Sequence, residues 1–327
     1  MALKVGILGV AHVHAPFYQA ALQKHPDVKL IGFWERDPDL SLEYQNRHGL
    51  TSYKDIEIFL DCVDAVVIAT ETKNNYTRTI QAARRGKHIL CEKPLATNLD
   101  DLYQMQDTVF EKNATFMTAF PCPYSKTFAR ILEKTKQRDI GRILAISGTN
   151  RGICPGGWFL EPELSGGGAM MDHTVHLLDL YQRILGENPT DYFIHANNHR
   201  LETLVEDTAI ISLEYPSGVI ATIDCSWAYP ESYKTWGDVT LKIVGEDGTI
   251  TTSLFDQHLE FYPSTGLKAI ETGSNLFGRM IDEFVSAILE NRLPKTSFHD
   301  GKNATEFVLK AYQNFTAHEF PALNRSH

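Results

Sequence analysis

The sequence predicts an α/β domain with an open parallel sheet, followed by an α+β domain with a large open, mainly antiparallel sheet. About the first 120 of the 327 residues alternate short apolar runs with helix-forming segments, which is typical of a parallel sheet covered by helices. From Tyr192 to Tyr262 polar and apolar residues alternate, with turn signals at 216–218 and 246–248, as in antiparallel hairpins. We therefore expect one domain over residues 1–121 and a second over residues 122–327.

The elements of the first domain follow from local signals. A short apolar run ends at Gly9, and the helix after it tolerates a proline in its first turn. In the run DAVVIAT, the residues between the aspartate and the threonine are all apolar and mostly β-branched, as expected of a strand buried on both faces of a sheet. Gly86 marks the end of the helix that follows that strand. The predicted strands are 3–8, 28–34, 64–70 and 88–91, and the predicted helices are 16–25, 73–85 and 99–111.

The second domain has a different pattern. A helix at 125–137 leads to a strand at 142–149, a glycine-rich loop and a helix at 169–185. The alternating region then predicts a sheet of about five or six strands, which is a normal sheet size. Two helices, at 276–290 and 301–317, complete the prediction. One sheet face is expected to pack on helices, and the other is free to meet a partner subunit.

Composition excludes several functional classes. The formal net charge is −10, and nucleic-acid or anionic-membrane surfaces need clustered Lys and Arg, so we expect neither partner. No apolar stretch reaches the length of a membrane span. The five cysteines are scattered without a CxxC pair, and the N-terminus lacks a leader pattern, so we expect a cytoplasmic protein without disulfides or a zinc ribbon.

The stretch GILGVAHVHA approximates the dinucleotide-binding fingerprint GxGxxG. Gly9 suits the tight turn, Ala11 is small enough for a close pyrophosphate, and His14 stands where the third glycine would be. Glu35 follows the second strand, 26 residues after Gly9, where a carboxylate binds both ribose hydroxyls of NAD and repels a 2′-phosphate. The adjacent Arg36 is able to stack on adenine or accept NADP, but the pattern favours NAD.

His12 and His14 form an HxH pair in this loop. They are interpreted either as loop histidines that lie against the phosphates or the rest of the cofactor, or as half of a metal site. No third ligand lies nearby in the sequence, so we expect no metal ion here.

Two further segments resemble the signatures of one family. ARRGKHILCEKPLA, which contains Glu92-Lys93-Pro94, and GGGAMMDHTVHLLD, with its D-x-x-x-H, are similar to the signatures of the glucose–fructose oxidoreductase and inositol dehydrogenase (Gfo/Idh/MocA) family. VEDTAIISLEYPSGVIATIDCSW resembles the family's sheet region. The resemblance implies a Rossmann dinucleotide-binding domain, bound NAD(P), chemistry at a sugar or polyol hydroxyl, a cis Lys93–Pro94 bond, and a homodimer or homotetramer formed through the open sheet face.

Carried over position by position, the resemblance implies three catalytic residues, Lys93, Asp172 and His176. The Pro-Asn usual in the family after the DAVVIAT strand is Glu71-Thr72 here, and its usual histidine one turn later is Asn75. The cofactor contacts expected from the fingerprint and the resemblance are Gly9, Val10, Ala11, His12, Val13, Glu35, Arg36, Thr70, Asn75, Glu92 and Lys93. The expected substrate contacts are Lys93, Tyr124, Trp158, Asp172, His173 and His176. Tyr124 and Trp158 have packing between the domains as an equal alternative, and His173 is equally interpreted as a residue that supports the site without contacting substrate or as an exposed residue.

The spacing of the D-x-x-x-H motif suits acid–base chemistry. Asp172 and His176 are four residues apart, so they face the same side of a helix, and Asp179 is placed to orient the imidazole. Imidazole titrates near neutral pH, which favours His176 over Lys93 as the acid/base, with Lys93 binding the reacting hydroxyl and the cofactor ribose. Glycines 166–168 are interpreted as clearing space for a substrate. Zinc bound by Asp172, His173 and His176 is an alternative, although hydride transfer needs no metal.

Three functions are compatible with these motifs. The first is an NAD(P)-dependent dehydrogenase acting on a CH–OH group of a sugar, inositol or related polyol. The second is an NAD-dependent glycosidase that oxidises its substrate only transiently. The third is a non-catalytic, NAD-sensing regulator, for which the presence of Lys93, Asp172 and His176 is unexpected.

Overall fold

A computed structural model of the chain describes residues 2–111, 114–233, 235–256, 258–263, 268–271 and 273–315. The chain divides into two compact units. The first unit comprises Met1–Ser125, Glu163–Gly166 and Ser274–Thr305, and the second comprises Lys126–Pro162, Gly167–Gly273 and Glu306–His327. The first of the two C-terminal helices, Leu276–Leu289, therefore lies wholly in the first unit, and the second, Phe298–Phe315, is divided between the two units.

The first unit is built on a parallel sheet of six strands in the order β3-β2-β1-β4-β5-β6. All neighbouring strands in it run parallel. The strands are β1 Leu3–Leu8, β2 Val28–Trp34, β3 Ser52–Tyr53, β4 Ala65–Ile68, β5 His88–Cys91 and β6 Phe116–Thr118. The helices that join them are α1 Ala15–Lys24, α2 Pro38–His48, α3 Ile56–Asp61, α4 Thr72–Arg84 and α5 Leu99–Phe110. This strand order confirms the predicted Rossmann fold.

The core of the first unit includes residues that are distant in sequence. Val5 and Ile7 of β1 and Tyr18 of α1 are fully buried in one cluster with Met280 and Phe284. The last two residues belong to α9, Leu276–Leu289, which packs on α1. Helix α9 thus supplies part of the hydrophobic core beneath the β1–α1 loop.

The second unit contains a sheet of eight strands in the order β14-β13-β12-β11-β7-β10-β9-β8. Only the β7–β10 pair is parallel among these neighbours. The strands are β7 Ile143–Arg151, β8 Asp191–Asn197, β9 Thr208–Glu214, β10 Ile220–Ser226, β11 Thr240–Gly245, β12 Gly248–Ser253, β13 His258–Pro263 and β14 Lys268–Glu271. The helices are α6 Lys126–Lys136, α7 Pro162–Ser165, α8 Ala169–Leu185 and α10 Phe298–Phe315, of which α7 and the start of α10 cross into the first unit.

The eight-stranded sheet is covered on one face by α8, which packs on β7, β9 and β10. Ile211 and Ile223 on that face are fully buried, whereas Ile210 and Ile220 on the opposite face are largely exposed. The prediction of a large, mainly antiparallel sheet is confirmed, but the strand number exceeds the predicted five or six because β7 and β14, which lie outside the alternating region, also join. Among the described helices, none is both long and apolar enough to cross a membrane.

Candidate active site

The β1–α1 loop begins with a turn that only glycine fits. Gly9 has φ +87°, and a Cβ there would lie 2.1 Å from Cγ2 of Thr70, at the end of β4. The next residues are tied to neighbouring strands: Val10 N–H donates to Glu35 and His12 N–H donates to the carbonyl of Ala69. The loop is therefore held close to the ends of β2 and β4, where the fingerprint predicts the cofactor.

Glu35 is held at the end of β2 by backbone amides. Its Oε2 accepts from Val10 N–H at 2.8 Å, and its Oε1 accepts from Arg36 N–H at 2.7 Å and from Asp37 N–H at 3.1 Å. Each carboxylate oxygen has more than one acceptor direction, so both oxygens can still accept from ribose hydroxyls. The structure thus brings Gly9, Val10 and Glu35 together, as the fingerprint predicts.

A buried arginine stands beside this acid and was missed by the sequence analysis. The guanidinium of Arg78 lies 4.5 Å from the ring centroid of Trp34, and Arg78 is 8% exposed. Burial, together with the nearby charge of Arg36, lowers the pKa of Arg78. No motif marks an arginine two turns into a helix, so only the packing of α4 on the strand ends reveals it.

The residues of this region fit NAD. Helix α1 begins after His14 without a side-chain cap and with no acidic residue in its first turn, so its positive end is left available to an anion. Glu35 offers acceptors that suit ribose hydroxyls and oppose an added phosphate. Val13 is 41% exposed at the tip of the loop, and the side chain of Arg36 is exposed at the end of β2.

Glu92 lies at the centre of a buried polar cluster in the first unit. Its side chain is 0% exposed, and its Oε1 is 2.8 Å from Nδ1 of His14 and 3.4 Å from Nδ1 of His12. The hydroxyl of Tyr18 donates to the same oxygen. Burial alone would raise the pKa of Glu92, but His12, His14 and the charge of Lys93 hold it well below its ordinary value. Glu92 is therefore an ionised carboxylate whose oxygens are used within the protein.

Lys93 follows directly, and its backbone is rigidly placed. Its N–H donates to Oε2 of Glu92 at 3.1 Å, its side chain is buried, and the Lys93–Pro94 bond is cis as the resemblance implies. Asn75 donates from Nδ2 to the carbonyls of Glu92 and Pro94 and accepts from Thr70. Asn75 and Thr70, predicted as cofactor contacts, thus brace the segment that carries Lys93.

In the second unit, Asp172, His173 and His176 lie on α8 and are all more than nine-tenths buried. Nε2 of His173 is 3.1 Å from Oδ2 of Asp172 but lacks the alignment of a hydrogen bond. The rings of His173 and Trp236 pack edge-on, with their centroids 6.0 Å apart. Both oxygens of Asp179 accept from Arg183, at 2.7 and 3.0 Å. Asp172 and His176 therefore share a helix as predicted, while the described hydrogen bonds of Asp179 go to Arg183.

The glycines before α8 serve packing rather than ligand access. A Cβ on Gly168 would lie 1.9 Å from the carbonyl oxygen of Glu206, and one on Gly167 would lie 2.1 Å from the hydroxyl of Tyr312. The interpretation that these glycines clear space for a substrate is wrong for Gly167 and Gly168, because the chain itself fills that space.

Glu206 caps α8 from outside the helix. Its Oε1 accepts from Gly168 N–H at 2.8 Å, from Met170 N–H at 2.9 Å and from the Tyr312 hydroxyl at 2.5 Å. A carboxylate at the positive end of a helix is favourable, and this one binds two otherwise unpaired amides. The start of the helix that carries Asp172 and His176 is thereby fixed.

The two aromatic candidates differ in their surroundings. Tyr124 is 4% exposed in the first unit, where its hydroxyl is 2.9 Å from Oγ1 of Thr296. Trp158 is partly buried in the second unit and stacks on Phe159 with ring centroids 3.8 Å apart. Packing accounts for the contacts described for both rings, and their substrate contacts remain predictions.

Comparisons with known proteins agree with this architecture. Residues 3–120 match the family model described as "Oxidoreductase family, NAD-binding Rossmann fold", and residues 128–251 match the GFO/IDH/MocA C-terminal domain. Myo-inositol 2-dehydrogenase of Thermotoga maritima is 24% identical, over 92% of this chain and 93% of its own length. The 2,7-anhydro-N-acetylneuraminate hydratase of Escherichia coli is 26% identical over 71% of this chain and 64% of its own.

Among solved structures, a levoglucosan dehydrogenase in complex with NADH superposes with a TM-score of 0.84 at 22% identity, covering 97% of this chain and 98% of that one. The likeness is one of fold, and it covers both units. Together with the two family models, which match at the predicted signatures, it agrees with the motifs of both halves of the sequence. The chain belongs to the Gfo/Idh/MocA family of NAD-binding oxidoreductases.

Proposed function

We propose that this protein is an NAD-dependent dehydrogenase that transfers hydride between nicotinamide and a secondary hydroxyl of a sugar, inositol or related polyol. One observation carries the proposal: both family domains match, and Lys93, Asp172 and His176 lie within the matched ranges, in the segments that resemble the family signatures. Relatives named as acting on myo-inositol, scyllo-inositol and levoglucosan support the substrate class. The Glu35 carboxylate supports NAD over NADP.

When bound, nicotinamide accepts hydride from the carbon that bears the hydroxyl. The protein supplies position and proton transfer. His176 removes the hydroxyl proton during oxidation and returns it during reduction, because imidazole exists in both forms near neutral pH. Lys93 donates a hydrogen bond to the reacting oxygen and to the cofactor ribose, and Asp172 accepts from a neighbouring substrate hydroxyl. Within its own unit each group is held in place, since Asn75 braces the Lys93 segment and Glu206 fixes the start of α8.

A second candidate function is catalysis without net redox change. The relative named as a hydratase favours it, since hydration leaves the oxidation state of the substrate unchanged. The same three residues would then move protons while a glycosidic substituent leaves or water adds.

One assay distinguishes the two functions. The purified protein is incubated with NAD and a panel of inositols, sugars, anhydrosugars and aryl glycosides, while NADH and released aglycone are recorded by absorbance. NADH formation is the expected result. Aglycone or hydrated product without NADH establishes the alternative. Tight NAD binding with neither product contradicts both and points to the sensing role.

The roles of the residues are tested by substitution. His176→Ala is expected to lower kcat by about 10²–10⁴-fold, the usual contribution of a positioned acid/base, and to remove the acid limb of the pH profile. His199→Ala, at an exposed histidine of the same unit, is the matched control and should leave both unchanged. If His176→Ala keeps normal turnover across pH while Lys93→Met abolishes it, the lysine is the base.

A further inference from the structure

The third ligand that the HxH motif lacks in the sequence is supplied by the fold. His12 and His14 lie in the β1–α1 loop, and Glu92 follows β5, 78 residues after His14. One potential ligand atom from each of the three residues lies within 4.8 Å of the other two. His12 is 3% exposed, Glu92 is fully buried and the His14 side chain is 16% exposed, so the group is enclosed but reachable from the His14 side.

The distances in this group suit a small cation. Ligand atoms bind zinc-class ions at about 2.0–2.2 Å, so two ligands of one tetrahedral ion are about 3.3–3.6 Å apart. The distances from Oε1 of Glu92 are 2.8 Å to His14 Nδ1 and 3.4 Å to His12 Nδ1. The distance of 3.4 Å lies in that range, and the contact of 2.8 Å is a hydrogen bond that an ion would replace.

Hydrogen bonds join the members of the cluster. His12 Nδ1 accepts the backbone N–H of His14 at 3.2 Å, and Nδ1 of His14 and Oε1 of Glu92 share a hydrogen bond of 2.8 Å. A divalent ion would replace these hydrogen bonds by coordination to the two imidazoles and the carboxylate, and would displace the proton that His14 and Glu92 share.

We infer that His12, His14 and Glu92 form a binding site for one divalent transition-metal ion of the zinc class. Two imidazoles and one carboxylate are a ligand set that such ions prefer, and Oε2 of Glu92 is held by Lys93 N–H, which orients the ligating oxygen. The inference goes beyond the proposed dehydrogenase, whose hydride transfer needs no metal, and it reverses the expectation of no metal ion.

The test measures metal content. Chelator-treated full-length protein is equilibrated with Zn²⁺, and bound zinc is counted by mass spectrometry after gel filtration. Co²⁺ then reports the ligand set through its visible absorption. Wild type is expected to bind one ion per chain. Glu92→Gln, which keeps the shape of the side chain, and His14→Ala are each expected to weaken binding by at least about 100-fold, the upper end of the loss seen for outer-shell partners.

Two further histidine variants serve as controls. His25→Ala removes a histidine that lies 3.6 Å from Asp282 in the same unit, and it should keep the ion. His173→Ala tests the alternative zinc site on α8 and should also keep it. Circular dichroism and thermal melting confirm that each variant is folded, and the less buried His14→Ala decides the result if Glu92→Gln does not fold. The inference is overturned if wild type binds no zinc, if His14→Ala binds as wild type does, or if only His173→Ala loses the ion.

Discussion

At the scale of single residues, Gly9 shows how conformation and space combine at one position. Its φ of +87° disfavours every residue with a side chain, and Thr70 fills the place of a Cβ. Gly86 has a similar φ of +65°, but a Cβ there would meet no described neighbouring atom within 4 Å. Substitution of Gly86 therefore meets backbone strain alone, whereas substitution of Gly9 meets backbone strain and a clash with Thr70.

We expect Gly9→Ala to destabilise the protein by about 2–4 kcal/mol and to weaken NAD binding, because the β1–α1 turn must move away from Thr70. The matched variant Gly86→Ala carries only the backbone term and should cost about 1 kcal/mol, with NAD affinity unchanged. Thermal denaturation and NAD titration by calorimetry measure both effects. Equal losses in the two variants would show that the Thr70 contact has no influence.

Much of the residue-level site is readable from the sequence, and the unreadable part has a physical cause. Glu35 is predicted from its place after the second strand, and Lys93, Asp172 and His176 are predicted from the resemblance of their segments to the family signatures. The contacts of Glu92 with His14 and of Glu206 with Gly168 and Met170 cannot be read in this way, because they span 36 or more residues. No local pattern encodes such pairs.

At the scale of elements, α8 illustrates a helix whose start depends on a remote residue. Its bounds, Ala169–Leu185, are those predicted from periodicity and the flanking glycines. Its N-cap residue is Gly168, which has no side chain to bind the first amides, and Glu206 does so instead. Burial raises the pKa of Glu206, and the hydrogen bonds from Tyr312, Gly168 and Met170 offset only part of this rise.

This raised pKa predicts a pH dependence of stability. Between the ordinary value of 4.5 and the raised value, the folded state binds more protons at Glu206 than the unfolded state. The free energy of unfolding therefore loses a contribution as the pH rises through that window. Glutamine at this position cannot lose a proton. The difference in free energy of unfolding between wild type and Glu206→Gln should thus shrink as the pH is raised from 4 to 8.

Urea unfolding of both proteins across this range measures the difference. Glu214→Gln, at an exposed glutamate of β9, is the control and should track wild type at every pH. Tyr312→Phe removes a hydrogen bond that lowers the pKa of Glu206, so it should extend the window to higher pH. If the free energies of unfolding of Glu206→Gln and wild type differ by the same amount at every pH, Glu206 has the same charge in the folded and the unfolded state.

At the scale of the whole molecule, the face of the eight-stranded sheet opposite α8 is the surface on which the resemblance places self-association. Phe193 of β8 is 62% exposed there, Ile220 of β10 is 57% exposed and Ile210 of β9 is 43% exposed. Exposed apolar residues on neighbouring strands are typical of a protein–protein contact.

We expect a homodimer or homotetramer in solution and a shift toward monomer in Phe193→Asp, because a buried carboxylate without a partner opposes association. Sedimentation velocity over a range of concentrations measures this. Phe110→Asp changes a phenylalanine of 67% exposure on α5 and should leave the assembly intact. A monomeric wild type, or equal dissociation of both variants, would contradict the prediction.

The order in which the chain is made has a consequence for how it matures. Helix α9 completes the core around β1 and α1, yet some 150 residues of the second unit are synthesised between α5 and α9. During translation, the first unit therefore lacks α9 until most of the chain has been synthesised. A fragment that ends at Ser125 would expose the apolar side of α1 to solvent. To study the first unit alone, residues 274–305 must therefore be fused to that fragment.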